Sequence, residues 1–502
     1  MSILSFNFII FLIISTLIYY VTPKKYRWII LLLSSVIFFI STCPAYLLLY
    51  LVFDILVAYI STKAISKTDN QKKKKIILTF SIFLIISILV ILKWFNILPM
   101  TLNLFGKLFK LSTTFGLLNI VAPLGVSYYT LSIIGYVVDI YRGSYERESN
   151  IFKLALFAGY YPILISGPFV RFDKMKKELF EEKTFSYNNI FQGFERIIYG
   201  LMKKILIADV LAGYVHTIFS NYYTYSGYYI IIGLVCYAIQ IYADFSGCMD
   251  IIYGASRMYG ITLEENFKSP FFSANLSEFW RRWHISLGQW GKDYIMYPLL
   301  KSDTFQKMAK VLKDKFGKKP SKLITTLTAI LILWLFIGIW HGASFRYIFC
   351  AGILPWIYLT CGQLFEDKIK IINEKLHIRT ECFSFQLFRR LRTLGFMCFV
   401  WLFACSDSLR DSIHVIRQLF NFPDLYYFQT LPQLPTIGLG IALFLVLVVD
   451  YLKYKEINVL DKFSEQNTIF KYIVLLLILY ITFRYGAYGP GFNSVDFIYG
   501  GF

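Results

Sequence analysis

Long apolar runs separated by short polar, cation-rich breaks recur along almost the whole chain. The runs lie at residues 4–22, 28–42, 46–60, 76–98, 120–140, 226–243, 324–340, 344–365, 393–405, 435–452 and 470–485. A helix needs about 20 apolar residues to cross a bilayer core, so the pattern predicts roughly 10 to 12 spans of helical length. The fold class expected is an all-α polytopic membrane protein. The first run lacks a basic stretch before it and a small-residue cleavage site after it, so it is read as an anchor and not a cleaved signal.

Several stretches break the pattern. Residues 154–170 (LALFAGYYPILISGPFV) hold two prolines and two glycines, with Lys153 before them and Arg171, Lys174, Lys176 and Lys177 after. Cations at both ends place both ends on one side of the membrane, which predicts a re-entrant segment buried in protein or lining a cavity. Residues 262–322 form a long polar stretch rich in Trp, Arg and Lys. The charged segment 366–392 is expected to be a connection, and 407–434, with Pro423 and Pro432 and Pro435 just beyond, an outer loop.

Composition sharpens the membrane reading. Hydrophobic residues make up 57% of the 502 and charged residues only 16%, against about 25% in soluble proteins. The net charge of +20 sits in loops, so it points to topology and not to nucleic acid. Lys24, Lys25 and Arg27, Lys63 to Lys75, and Lys301 to Lys322 mark cytoplasmic loops by the positive-inside rule. Both termini are then extracytoplasmic. Residues 1–486 are read as one membrane domain and 487–502 as an extracytoplasmic tail.

Eight scattered cysteines form no C-x-x-C, so no disulfide framework or metal site is expected. Walker, G-x-G-x-x-G, H-E-x-x-H and G-x-S-x-G motifs are missing, and so is a prenylation box. Two of the five histidines have informative surroundings. His341 ends the apolar run TLTAILILWLFIGIWHG, where Gly342 can stop the helix; an ionisable group between greasy helices is a functional candidate. His284 lies in SEFWRRWHISL, with Ser277 as the expected N-cap. Phe279, Trp280, Trp283 and Leu287 recur at helical spacing while Arg281 and Arg282 face away, which predicts one amphipathic helix at the membrane surface. His284 could there be a ligand-handling group or part of an interfacial aromatic belt. Asp54, Asp139, Asp209, Asp244 and Asp250 fall within apolar segments and are read first as helix-packing groups; Asp244 and Asp250 flank Gly247, which permits close backbone approach.

Six stretches together resemble the membrane-bound O-acyltransferase (MBOAT) family, most closely its bacterial alginate O-acetyltransferase membrane-subunit-like branch. They are APLGVSYYTLSIIGYVVDIYRG (122–143), ISGPFVRF (165–172), QIYADFSGCMDI (240–251), ENFKSPFFSANLSEFWRRWHISLGQW (265–290), DYIMYPL (293–299) and GIWHGASF (338–345). One departure is visible: Leu300 and Lys301 follow where members commonly have a Gly-Gly pair. The resemblance implies a ring of transmembrane and re-entrant helices around a thinned central tunnel. It implies that His341 is catalytic and His284 a second functional position. The ending DFIYGGF carries an F-x-Y-x-x-F pattern, Phe497, Tyr499 and Phe502, whose tyrosine in this branch is an acyl carrier. On residues alone the tail could equally be an aromatic plug.

The expected chemistry is acetyl transfer from cytoplasmic acetyl-CoA to Tyr499, with Arg281, Arg282 and Trp283 at the donor site and Phe497 and Phe502 anchoring the tail. No permanently bound cofactor is expected. The implied partners are an extracytoplasmic serine-hydrolase-like O-acetyltransferase, a polysaccharide synthase complex and membrane lipids. Competing readings are D-alanyl or other acyl transfer from a carrier protein to teichoic acid, a transporter of glycan or acyl donor, and a structural scaffold.

Overall fold

The computed structural model describes residues 1–95, 99, 102, 103, 115, 116, 121–342, 344–406, 408–422, 436–489 and 497. Among these residues the fold is helical. Among the described residues one bridge between extended segments occurs, joining Phe267 and Trp283 in antiparallel fashion. Eight helices among the described residues are long and apolar enough to cross a membrane, and a shorter apolar helix, Phe6–Val21, precedes them. The chain is a multi-pass membrane protein.

Helix starts follow from side-chain caps. Ser5, Asn70, Asn150 and Asn467 each accept a backbone N–H of the first turn of the helix that follows, which satisfies donors a helix start leaves orphaned. Apolar runs and helices do not end together, however. The run predicted at 226–243 continues as a helix over Gly227–Met258, and the run at 344–365 continues to Lys375. The segment 366–392 is therefore mostly helix: Phe383–Cys405 begins inside it. A charged face does not stop a helix that already has its hydrogen bonds, so charge misplaces these boundaries. The expected outer loop contains the helix Leu409–Gln418, and its three prolines lie outside the described residues.

Contacts divide the chain into two compact units, Met1–Ile197 with Met249–Glu264, and Ile198–Cys248 with Glu265–Phe502. In the first, 154–170 folds as two short helices, Ile151–Gly159 and Tyr161–Ser166. Residues 154 and 156–169 are all buried, as backbone of this kind requires. Tyr161 donates to or accepts from Tyr259 at 3.1 Å, and Tyr259 bonds Ser15 at 2.6 Å. Gly193 and Gly254 bring two helices to backbone contact: a Cβ on Gly193 would lie 2.6 Å from the Gly254 carbonyl oxygen. Arg196 pairs beside them with Asp250 at 3.0 Å. Asp139 pairs with Arg171 and Arg142, and Asp54 accepts from Thr130. These acids hold helices together.

The second unit carries the polar stretch from Glu265 onward, which folds into short helices leading to the long helix Lys318–His341. Leu300 and Lys301, at the expected Gly-Gly position, fall in the helix Tyr297–Lys301, and Ser302 caps the next. An apolar core of Cys350, Leu354, Val400 and Phe403 packs behind the site.

Candidate active site

The second unit encloses a cavity of about 1230 Å³ whose wall includes His284, His341, Trp280, Arg281, Trp283 and Gln240. Sites for small molecules are commonly of this size or somewhat smaller. Two histidines 57 positions apart in sequence thus share one cavity, and each is delivered by a different backbone device.

His341 is the last residue of Lys318–His341. The chain leaves through Gly342, where an added Cβ would lie 2.4 Å from the Tyr347 ring. A glycine is needed there for the close approach. His341 is half-buried, and the buried Trp340 ring lies 4.9 Å from its imidazole, edge-on.

His284 is placed by a broken helix. The continuous amphipathic helix expected from the aromatic spacing is instead two helices, Leu276–Arg282 and Ile285–Gly291. The first cap is Asn275, which accepts from Glu278 N–H, and not Ser277. Between the helices His284 adopts the left-handed conformation, φ 49° and ψ 50°. That conformation is uncommon for a residue with a Cβ and costs of order 1–3 kcal/mol. Antiparallel bonds hold the break: Lys268 N–H donates to the Arg282 carbonyl at 3.0 Å and Ile285 N–H to the Asn266 carbonyl at 3.1 Å. The result turns His284 inward. It is 5% exposed and caged by Phe245, edge-on at 4.9 Å, and Trp340 at 6.1 Å. It is not an interfacial residue.

Asn266, fully buried, sets the histidine's tautomer. Its Oδ1 accepts from the Ser286 N–H at 3.0 Å and the Ser286 hydroxyl at 2.9 Å, and lies 3.4 Å from His284 Nδ1. A backbone N–H can only donate, so the Asn266 atom is the oxygen. Nδ1 must then carry the proton to bond it, and Nε2 keeps its lone pair. Burial pushes the His284 imidazole well below its ordinary pKa, and the neighbouring His341 acts in the same direction. His284 is therefore neutral at physiological pH.

The other predicted residues separate. Arg281 is exposed and lines the cavity, and Lys292 lines it as well. Arg282 instead pairs with Glu278 at 3.0 Å and donates to the Lys268 carbonyl at 3.1 Å. Trp283 lines the cavity from within an aromatic stack with Phe279 at 5.6 Å and Trp401 at 5.4 Å. Phe497 lies with its ring 4.6 Å from the Lys204 ammonium. Tyr499 and Phe502 lie outside the described residues. No group of three or more metal-ligating side chains occurs among the described residues. Sequence reasoning missed Asn266, Gln240 and the buried Lys204. Asn266 was visible only as part of the ENFKSP stretch; nothing local marked its role.

Comparison with known proteins places the chain. Residues 144–405, more than half of the chain and including both histidines, match the membrane-bound O-acyltransferase family. A probable alginate O-acetylase, AlgI, of Pseudomonas syringae pv. tomato is 30% identical over 67% of this chain and 58% of its own length. A peptidoglycan O-acetyltransferase of Helicobacter pylori is 27% identical over 73% of this chain and 69% of its own. A teichoic acid D-alanyltransferase of Bacillus subtilis is 26% identical over 49% of this chain and 60% of its own. The chain spans less than two thirds of the length of the first of these. With a polytopic helical fold and a family match that runs through His284 and His341, the chain belongs to the membrane-bound O-acyltransferase family.

Proposed function

We propose that this protein is an O-acyltransferase of the cell membrane that takes an acetyl group from cytoplasmic acetyl-CoA, passes it to Tyr499 and presents it outside. The observation that carries the reading is the convergence of His284 and His341 on one cavity with the cationic Arg281 and Lys292 on its wall. Those cations suit the phosphates of a coenzyme A thioester, and the volume suits its pantetheine arm.

His341 takes the phenolic proton of Tyr499 as general base. The phenolate oxygen attacks the thioester carbonyl, the new C–O bond forms, and the C–S bond breaks. The departing thiolate recovers the proton from the His341 imidazolium. His284, neutral and with Nε2 as an acceptor, holds an N–H of the pantetheine arm. The energetics suit a tyrosine. Thiols and phenols ionise near 8.5 and 10, a difference of about 2 kcal/mol, so the acetyl group stays activated. A sugar hydroxyl is far less acidic, and transfer onward runs downhill. The acceptor step belongs to an extracytoplasmic serine-hydrolase-like O-acetyltransferase that modifies a cell-surface or secreted polysaccharide, in company with a polysaccharide synthase.

A second reading, acyl transfer from a carrier protein to teichoic acid, draws on the Bacillus relative. The F-x-Y-x-x-F segment within this same chain favours the acetyl route. The test is to supply radiolabelled acetyl-CoA to the purified protein without partners and to look for alkali-labile label. Label in the wild type, lost in both His341→Ala and Tyr499→Phe, is expected. Absence of label with a folded wild-type protein would sink the acetyl-CoA and tyrosine route.

A further inference from the structure

Lys204 is one of the most deeply buried residues in the second unit, and the acyl-transfer chemistry above does not use it. It lies in a π-helical turn, Met202–Ala208, its side chain fully enclosed. Its ammonium contacts Asp209 at 2.7 Å and Asp244 at 2.7 Å. A buried lysine is expensive, and replacing such an arrangement by apolar side chains is often neutral or stabilising. Stability alone therefore does not account for a triad here.

Two other contacts end on the same turn. The Ile205 carbonyl accepts a bond from the Ala487 N–H at 3.0 Å, just after the helix Thr468–Tyr485. A π-helical turn departs from the regular ladder and so can offer a carbonyl to another segment. The Phe497 ring then lies over Lys204, 4.6 Å from the ammonium. The chain after the last helix is thus held to one turn at two points ten residues apart, once by backbone and once by the face of an aromatic ring.

The helices that carry the two acids also supply the cavity wall. Asp209 precedes the wall residue Ala212 by three positions, about 4.5 Å along a helix. Asp244 follows the wall residues Gln240 and Ile241 by one helical turn. Gln240 is buried, and its Oε1 has no hydrogen-bond partner among the described residues. An orphaned buried acceptor is costly, which points to a donor-bearing group at this side of the cavity in the working state.

We propose that Lys204, fixed by Asp209 and Asp244, is a docking station for the C-terminal aromatic segment: it seats Phe497 through a cation–π contact and so tethers the F-x-Y-x-x-F motif to the second unit. Its geometry is independent of the tyrosine-carrier reading; its purpose rests on that reading. Lys204 is a positioning residue. The two carboxylates hold the ammonium so that the ring finds a fixed charge, and Phe497 supplies selectivity for a face over mere apolar bulk.

The test uses the full-length protein with Phe497→p-benzoylphenylalanine and maps its photocrosslink. Adducts within residues 199–209 or 240–248 are expected; adducts elsewhere overturn the dock. A second arm leaves the buried triad intact. Phe497→Leu is expected to lower acetyl labelling about tenfold at subsaturating donor, while Phe497→Trp retains it, because a cation prefers the aromatic face. Equal labelling in the Leu and Trp variants would show a plain apolar anchor and overturn the proposal. The two readings part in the Tyr499→Phe protein. If that protein still accepts label while the crosslink maps to the π-helical turn, the carrier reading falls and the dock stands.

Discussion

His284 and His341 face one cavity, yet they are held in opposite ways. His341 ends a 24-residue helix, and ordinary helix geometry with one glycine exit delivers it. His284 sits in a strained left-handed break, bought by an antiparallel pairing and an asparagine that accepts three donors. His341 is half-buried at the cavity wall. The enclosed one is held neutral and in one tautomer. In the proposed chemistry, the contrast separates a group that moves a proton from a group that keeps a fixed hydrogen-bonding face.

Several experiments can break or sharpen that contrast. His341→Ala should lower acyl transfer about a thousandfold, within the usual range for loss of a general base, with the unfolding temperature in detergent nearly unchanged. Transfer within a few-fold of wild type would reverse the assignment of roles. Asn266→Ala should act on the break that holds His284. It leaves the Ser286 N–H, the Ser286 hydroxyl and His284 Nδ1–H without their acceptor, and should cost about 3 kcal/mol of stability along with most of the activity. A thermal melt with an unchanged midpoint would show that the clamp is not holding the break.

The pH dependence is smaller and has a definite sign. Native His284 resists protonation, whereas the unfolded chain takes up a proton near pH 6.5. The unfolded state therefore binds more protons below that pH, and stability falls as pH drops, by at most about 1.4 kcal/mol per unit from this residue. Between pH 7 and pH 5 the wild type should lose more stability than His284→Asn, which tolerates the left-handed backbone and does not titrate. Parallel losses in the two proteins would mean that His284 is not held neutral. The smallest effect belongs to the cavity wall. Arg281→Ala should raise the KM for acetyl-CoA about fivefold with kcat little changed, and should leave the KM for acetyl-pantetheine, which lacks the nucleotide phosphates, where it was.

Much of the architecture was legible from hydropathy, because a membrane helix must be both long and apolar. Phe6–Val21, Arg27–Thr42, Lys318–His341 and Thr468–Tyr485 lie close to the runs that predicted them. The helix around His284 was misread for a physical reason: Phe279, Trp280, Trp283 and Leu287 keep the same spacing whether or not the backbone breaks after Trp283. The break depends on Asn266 and Lys268, which pair with it from 14 or more positions away. Lys203 and Lys204 went unremarked in the sequence, yet both are buried. Their partners make that burial tolerable, among them Ser246 and the Tyr199 ring for Lys203, and Asp209 with Asp244 for Lys204.

The amino-acid sequence by itself determined that this chain is helical, crosses the membrane many times and carries two histidines in unusual company. Those properties follow from local composition and spacing, which act within a turn or a span. Tertiary structure decided that the two histidines share a cavity, which tautomer His284 adopts, and that a buried lysine meets the aromatic tail. Each of these depends on contacts between residues far apart in the chain, and hydrogen bonds and ion pairs out of water are favourable only once the whole partner set has been assembled.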